Sequence, residues 1–240
     1  MKSLDEKRIS ELLTLPEVRV EVQESLDSTN AACRRLLDEG VEECLVLAGR
    51  QTGGRGRRGR AFFSPPGGLY MSVAVSKAPD TLALTCRAAV VTAEAIERVT
   101  GLDCGIKWVN DLYYHGKKVC GILAELVGAH VIVGVGVNLI PSPLPPELAD
   151  VVGFLDCGDV REALAAEIAR GLLRRTATDE AILAEYRRRS VVLGKTVTCV
   201  LGERECSAEA LEIDDTGALV VRTPSGALET LRWGEVSIRL

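Results

Sequence analysis

Residues 106–138 read IKWVNDLYYHGKKVCGILAELVGAHVIVGVGVN, and this stretch decides the fold. Residues 106–109, 112–114, 119–126 and 130–137 are short runs rich in β-branched and apolar side chains. They read as four successive strands, with His115-Gly116 as the turn of one hairpin. Upstream, residues 18–22 alternate and predict a strand. Ser28 or Thr29 then caps a helix running to Leu37 and stopping at Gly40. Residues 44–48 predict a buried strand, 69–75 another, and 82–99 a helix ending at Gly101. Between the strands, residues 49–60 are too polar and glycine-rich for regular structure and are expected to form a loop. Downstream, Pro141, Pro143, Pro145 and Pro146 force a loop, and helices are expected over residues 159–175 and 179–189. Residues 196–201, 205–213, 219–221, 228–231 and 236–238 are then five short strands, the pattern of a small SH3-type barrel. The expectation is an α+β chain with a larger unit over residues 1–190 and a barrel over 191–240.

Composition narrows the function classes. Apolar residues are 47% and charged residues 26% of the 240, an ordinary globular balance that excludes disorder, collagen and coiled coil. A net charge of −5 and only 4% aromatics do not suit a dedicated nucleic-acid or anionic-membrane binder. The N-terminal MKSLDEKRIS has no apolar core of a secretory signal, and the best apolar run, residues 131–140, falls short of the ~18 residues a spanning helix needs. The eight cysteines form no CxxC pair and there are two histidines, so a zinc site is disfavoured. Buried reduced thiols in a cytoplasmic protein are expected instead.

Four segments carry chemistry. Residues 54–60, GRGRRGR, combine glycines that let backbone approach a ligand with guanidinium forks that grip carboxylate or phosphate. By themselves they fit equally a solvated basic loop or an RNA-binding segment. Lys107, Asn110 and Asp111 suit a nucleoside triphosphate and its Mg²⁺, with Asn110 and Asp111 offering hard oxygen ligands; Asn-Asp is also a common turn pair. Lys117 and Lys118 lead into an apolar strand, as edge-strand charges or as ligand contacts, and Gly121 within that strand marks close approach by a ligand or another backbone. Residues 134–138, GVGVN, lack the third glycine and following helix of a dinucleotide fingerprint. Gly194-Lys195-Thr196 resembles the end of a P-loop, but Arg189 stands where the required glycine would be.

In this order and spacing, the segments 26–30 (LDSTN), 51–60 (QTGGRGRRGR), 107–111 (KWVND), 117–125 (KKVCGILAE) and 134–139 (GVGVNL) resemble the biotin protein ligase family over about residues 20–139. The terminal run WGEVSIRL suggests that family's small final domain. The resemblance implies a mixed-sheet biotin/lipoate ligase-like catalytic domain followed by an SH3-like barrel. It implies a two-step reaction in which biotin and MgATP give biotinyl-5′-AMP, and a lysine of a biotin carboxyl carrier domain then takes the biotin. It assigns Ser28, Thr29, Asn30 and Gln51 to the biotin head group, and Arg55, Gly56 and Arg57 to its carboxylate and the adenylate phosphate. Lys118 falls beside the acyl-phosphate, with Lys107, Asn110 and Asp111 near the ATP phosphates and the metal. Val109 stands where the family usually has proline. About 20 residues precede the ligase core, so no DNA-binding domain and no DNA partner are expected. A lipoate or octanoyl ligase is the alternative within the fold, an RNA-binding module the alternative outside it. A homodimer through an open sheet edge is compatible with the strand-rich core.

Overall fold

The computed structural model describes residues 3–76, 81–201, 204–232, 234, 236 and 237. The chain opens on helix α1 (Glu6–Leu13), strand β1 (Arg19–Leu26), helix α2 (Thr29–Asp38), β2 (Cys44–Gln51), β3 (Leu69–Ser76) and α3 (Thr81–Thr100). It continues through β4 (Gly105–Lys107), β5 (Asp111–Tyr114), β6 (Lys117–Val127), β7 (His130–Val137), α4 (Arg161–Arg174) and α5 (Asp179–Arg189). The last strands are β8 (Thr196–Leu201), β9 (Arg204–Ile213), β10 (Leu219–Arg222), β11 (Leu228–Leu231) and β12 (Val236–Ser237). Seven strands form one mixed sheet in the order β1-β2-β3-β7-β6-β5-β4, with β1 and β2 parallel and the other neighbours antiparallel. The remaining five form an antiparallel SH3-like sheet, β11-β10-β9-β8-β12.

Period-2 alternation decides which face of the large sheet does what. On β7, Val131, Val133, Val135 and Val137 join the main core with Leu45, Leu47, Met71 and Val73, beneath α1, α3 and α4. Each such fully buried aliphatic side chain contributes ~1.5–3 kcal/mol. The opposite face, carrying Ile132, Gly134 and Gly136 of β7, meets α2 through Ala32, Cys33 and Leu36 over part of its width only. The uncovered part of that face is where the site lies.

Several expectations are corrected. Helix α1 was not expected; Asp5 caps it by accepting from the Arg8 amide at 3.1 Å, and Ile9 and Leu13 anchor it in the core. The basic segment is not structureless. β2 runs on through Gln51, Arg55 bridges to Ala61, and residues 57–59 make a 3₁₀ turn. Its backbone groups pair among themselves: the Phe62 amide donates to Gly54 O at 2.9 Å and the Gly56 amide to Arg60 O at 2.7 Å. β4 stops at Lys107, so residues 108–110 form a turn, and the Trp108–Val109 peptide bond is cis. The helices expected at 82–99 and 179–189 and the hairpin turn at His115-Gly116 match. The strand expected at 236–238 is described only to residue 237, and of the WGEVSIRL run Trp233, Glu235 and residues 238–240 lie outside the described residues. Among the described residues, no helix is long and apolar enough to cross a membrane.

Candidate active site

A cavity of about 560 Å³ opens on the uncovered sheet face, and every residue that the family resemblance assigned to a ligand lines it; Lys117 does not, and its Nζ donates instead to Ala149 O at 2.9 Å. Ser28, Thr29 and Asn30 come from the N-terminus of α2; Gln51 ends β2; Arg55, Gly56 and Arg57 overhang from the basic segment. Lys107 and Asp111 flank the β4–β5 turn, Asn110 lies in it, and Lys118 is the second residue of β6. Gly121, Gly134 and Gly136 supply a floor without side chains.

At one end the polar groups form a connected network. Gln51 Oε1 accepts from the Thr29 amide (2.8 Å) and hydroxyl (3.1 Å), while Gln51 Nε2 donates to Ser64 Oγ (3.0 Å). The buried Ser72 hydroxyl lies 2.7 Å from Thr29 Oγ1 and 2.6 Å from Asn30 Oδ1, and its single proton serves one of them at a time. Asn30 Nδ2 donates to Glu125 Oε2 at 2.6 Å. The network locks the first turn of α2, while Ser28, at its N-cap position, makes no side-chain cap bond and lines the cavity. Preorganised donors and acceptors of this kind suit a small neutral polar head group.

The other end is cationic. Lys118 Nζ stands 2.7 Å from Asp111 Oδ1, a close ion pair whose angles miss hydrogen-bond alignment. Lys107 Nζ lies 3.2 Å from the Tyr113 hydroxyl and 5.2 Å from its ring centre. Burial pushes the Tyr113 phenol up, with the Asp111 charge adding to it, so the phenol stays protonated. Arg57 Nη1 donates to Asn110 Oδ1 at 3.0 Å, and Asn110 Nδ2 to Ile122 O at 2.7 Å. Both ends of the Asn110 amide are thus engaged by the protein, and its oxygen, with one of two lone pairs used, holds Arg57. No cysteine or histidine lines the cavity among the described residues, so the site offers charge and alignment without a thiol or imidazole nucleophile.

The profile of the Biotin/lipoate A/B protein ligase family matches residues 22–138, and that of the Biotin protein ligase C terminal domain matches residues 192–239. The chain is 33% identical over 223 residues to the biotin--[acetyl-CoA-carboxylase] ligase of Paracoccus denitrificans, covering 83% of this chain and 92% of that protein. The chain belongs to the biotin protein ligase family. Biotin protein ligase from Aquifex aeolicus in complex with biotin and ATP superposes with a TM-score of 0.78 at 28% identity, over 92% of this chain and 98% of that one. The bifunctional ligase/repressor BirA of Bacillus subtilis is 38% identical over 144 residues, which are 54% of this chain and 44% of that protein.

Three residues of this biotin protein ligase escaped the sequence reading. Ser72 interrupts the apolar run LYMSVAVS, and a fully buried polar residue in the middle of a strand was its signal. Glu125 ends the KKVCGILAE segment on the cavity face, opposite Ile132. Phe62 follows the basic segment, and its ring lies on the Gly121–Gly136 pair: a Cβ at either glycine would come within 2.8 or 2.4 Å of it. Close approach at Gly121 was expected from a ligand or backbone; an aromatic ring makes it here. Phe62 also meets Tyr70 edge-to-face, with centroids 6.5 Å apart.

For a divalent cation the fit is partial and chemically coherent. No group of three His, Cys, Asp or Glu that could hold a metal occurs among the described residues. Asp111 offers one carboxylate beside cationic groups, the donor set of a Mg²⁺ that arrives on a triphosphate and keeps its waters rather than sitting in an all-protein cage.

Proposed function

We propose that this biotin protein ligase activates biotin with ATP to biotinyl-5′-AMP and passes the biotin to one lysine of a biotin carboxyl carrier domain. The observation that carries this reading is a single cavity with a neutral hydrogen-bonding end at Ser28–Gln51 and a cationic end at Arg55, Arg57, Lys107 and Lys118. A ureido head group fits the first and a carboxylate meeting a triphosphate fits the second. The names of the Paracoccus and Aquifex relatives support the same substrates.

In the first step a biotin carboxylate oxygen attacks the α-phosphorus, the bond to the bridging oxygen breaks, and pyrophosphate leaves. Ser28, Thr29 and Asn30 hold the head group, with Gln51 bracing Thr29. Arg55, Arg57 and the Gly56 backbone gather the carboxylate and the α-phosphate. Lys118 faces the forming acyl-phosphate and Lys107 the departing pyrophosphate, neutralising charge where it develops. Asp111 would hold Mg²⁺, which when bound neutralises phosphate charge. In the second step the neutral ε-amine of the acceptor lysine attacks the anhydride carbonyl, the amide forms, AMP leaves and the amine loses a proton. The barrier falls mainly by alignment in a partly water-excluded site.

The division at residues 190/191 into catalytic and SH3-like units is supported by Ser190 closing α5. The outer strand β1 leaves one side of the large sheet open, which supports a homodimer. Eight free cysteines support a cytoplasmic location. The net charge of −5 supports a chain that does not seek DNA or RNA.

The test is incubation with ATP, Mg²⁺ and biotin, lipoate or octanoate, followed by mass spectrometry for the acyl-adenylate and then by addition of a carrier domain. Biotinyl-AMP and one modified lysine are expected. An adenylate formed only with lipoate or octanoate would move the chain to the lipoate side of the family, and salt-dependent RNA binding without ATP turnover would displace the ligase reading altogether.

A further inference from the structure

The turn carrying Lys107, Asn110 and Asp111 is held from behind by two parts of the chain remote in sequence. Trp108 and Val109, between those residues, are 2% and 3% exposed. The Tyr186 hydroxyl of α5 donates to Val109 O at 3.0 Å, and the Trp108 indole Nε1 donates to Gly217 O at 3.0 Å. Gly217 belongs to the turn joining β9 to β10, in the small SH3-like sheet.

That turn is built to be stiff. Asp214 Oδ1 accepts from the Thr216 amide (2.8 Å), the Thr216 hydroxyl (2.7 Å) and the Ala218 amide (3.0 Å). The Asp214 and Gly217 amides close the backbone loop onto Ala218 O and Asp214 O. Its tip is inserted into the larger unit: Gly217 has φ +85°, and a Cβ there would fall 2.8 Å from Cys86 Sγ of α3 and 3.8 Å from Leu183 Cδ2 of α5. Arg187 of α5 clamps the same turn, through Nε to Ile213 O (2.7 Å) and Nη2 to Asp215 Oδ1 (2.8 Å).

A buried indole N–H needs some acceptor, and any carbonyl would satisfy it. Here the acceptor is the tip of a rigid turn from the other unit, and the residue it fixes adjoins three polar side chains of the cavity. Asn110 in turn holds Arg57. A shift of Trp108 therefore moves Lys107, Asn110, Asp111 and Arg57 together.

We propose that the 214–218 turn of the small sheet sets the geometry of the 107–111 turn through the Trp108–Gly217 hydrogen bond, making Trp108 and Asp214 positioning residues for ATP use. This rests on the reading of Lys107, Asn110 and Asp111 as the ATP-side groups. The small sheet thereby acts on the nucleotide end of the site, while the biotin-end network of Ser28, Thr29, Asn30 and Gln51 is braced by Ser64, Ser72 and Glu125.

The experiment compares the full chain with Trp108→Phe, Asp214→Ala, the double variant and Asp214→Asn. Readouts are biotin-dependent ATP–pyrophosphate exchange, equilibrium binding of biotin, and thermal unfolding. Trp108→Phe and Asp214→Ala should each raise KM for ATP about three- to tenfold, the scale of one lost buried hydrogen bond, with biotin affinity unchanged. The double variant should be no worse than the poorer single one, since both remove one link. Asp214→Asn keeps an oxygen acceptor and should restore the wild-type KM. Equal losses for ATP and biotin, strictly additive effects, or a folded Asp214→Ala chain with unchanged KM for ATP would overturn the positioning role. If Trp108→Phe does not fold, the two Asp214 variants decide alone. A wild-type chain that binds biotin but never uses ATP would overturn the functional reading itself, an outcome distinct from an active enzyme whose variants show no split.

Discussion

Lys118 and Asp111 meet across β5 and β6, Nζ to Oδ1 at 2.7 Å, because the ladder between these strands slips by one residue. Asp111 pairs with Gly121 and Leu112 with Cys120, but Tyr113 then pairs with Lys118, leaving Val119 unmatched. Val119 and Cys120 both enter the core as a result, and Lys118 emerges on the cavity face beside Asp111. A bulge of this kind re-aims a side chain next to a site.

Lys118→Gln should retain the fold and lose most adenylation. The amide keeps the reach but cannot stabilise charge growing on the acyl-phosphate, and losing such a group costs ~2.7–4 kcal/mol of barrier. Single-turnover formation of biotinyl-AMP measures this, and a near-normal rate would reduce Lys118 to a structural partner of Asp111.

Arg57→Gly should still form the adenylate and fail to keep it. The substitution removes the bond to Asn110 together with ligand contacts worth ~1.5–3 kcal/mol, and adds a further flexible residue to a glycine-rich segment. Escaped biotinyl-AMP should label lysines of bystander proteins in proportion to their concentration. Labelling confined to the carrier, with no free intermediate, would show that Arg57 is not the clamp.

A methyl group at Gly136 would fall 2.4 Å from Phe62 Cε1. Gly136→Ala should therefore displace the ring, cost ~1–3 kcal/mol of stability and weaken biotin binding. Adding Phe62→Ala should recover part of the stability by making room. Calorimetric unfolding and biotin titration of both variants check this, and an unperturbed Gly136→Ala protein would mean the ring is not seated on the floor.

Acid should loosen α5 through Glu185. The adjacent Arg188 guanidinium, helped by Arg189 and opposed by burial, holds its carboxyl at about 2. The folded value lies below the unfolded one of ~4.3, so this contribution is complete above pH ~4.3 and is lost as the pH falls through about 2. Glu185→Gln should lower the urea midpoint at neutral pH and flatten its fall between those limits. Parallel midpoint-versus-pH curves for the two proteins would remove Glu185 from the account.

Local pattern carried much of the fold. The alternation of valine with Ile132, Gly134 and Gly136 in residues 131–137 set one face of β7 in the core and left the other without side chains at the two glycines, and the paired capping and stop signals placed α2. Helix α1 carried the same kind of signal in Asp5, Ile9 and Leu13 and was overlooked. Many of the cavity-lining residues were legible too, because glycines, arginines and lysines inside otherwise apolar surroundings need a reason to be there. What the sequence by itself determined is thus the elements, their buried faces and the chemical types gathered for the site. Only the tertiary structure decided how those groups are held. Strict alternation along β6 would have sent Lys118 into the core with Cys120, and a pairing slip against β5 reversed it. The hydrogen bonds of Ser72 to Asn30, Asn30 to Glu125 and Trp108 to Gly217 span 42, 95 and 109 residues. Periodicity reports which way a side chain points relative to its own strand or helix, whereas a hydrogen-bond partner so distant is chosen only when packing brings two elements together.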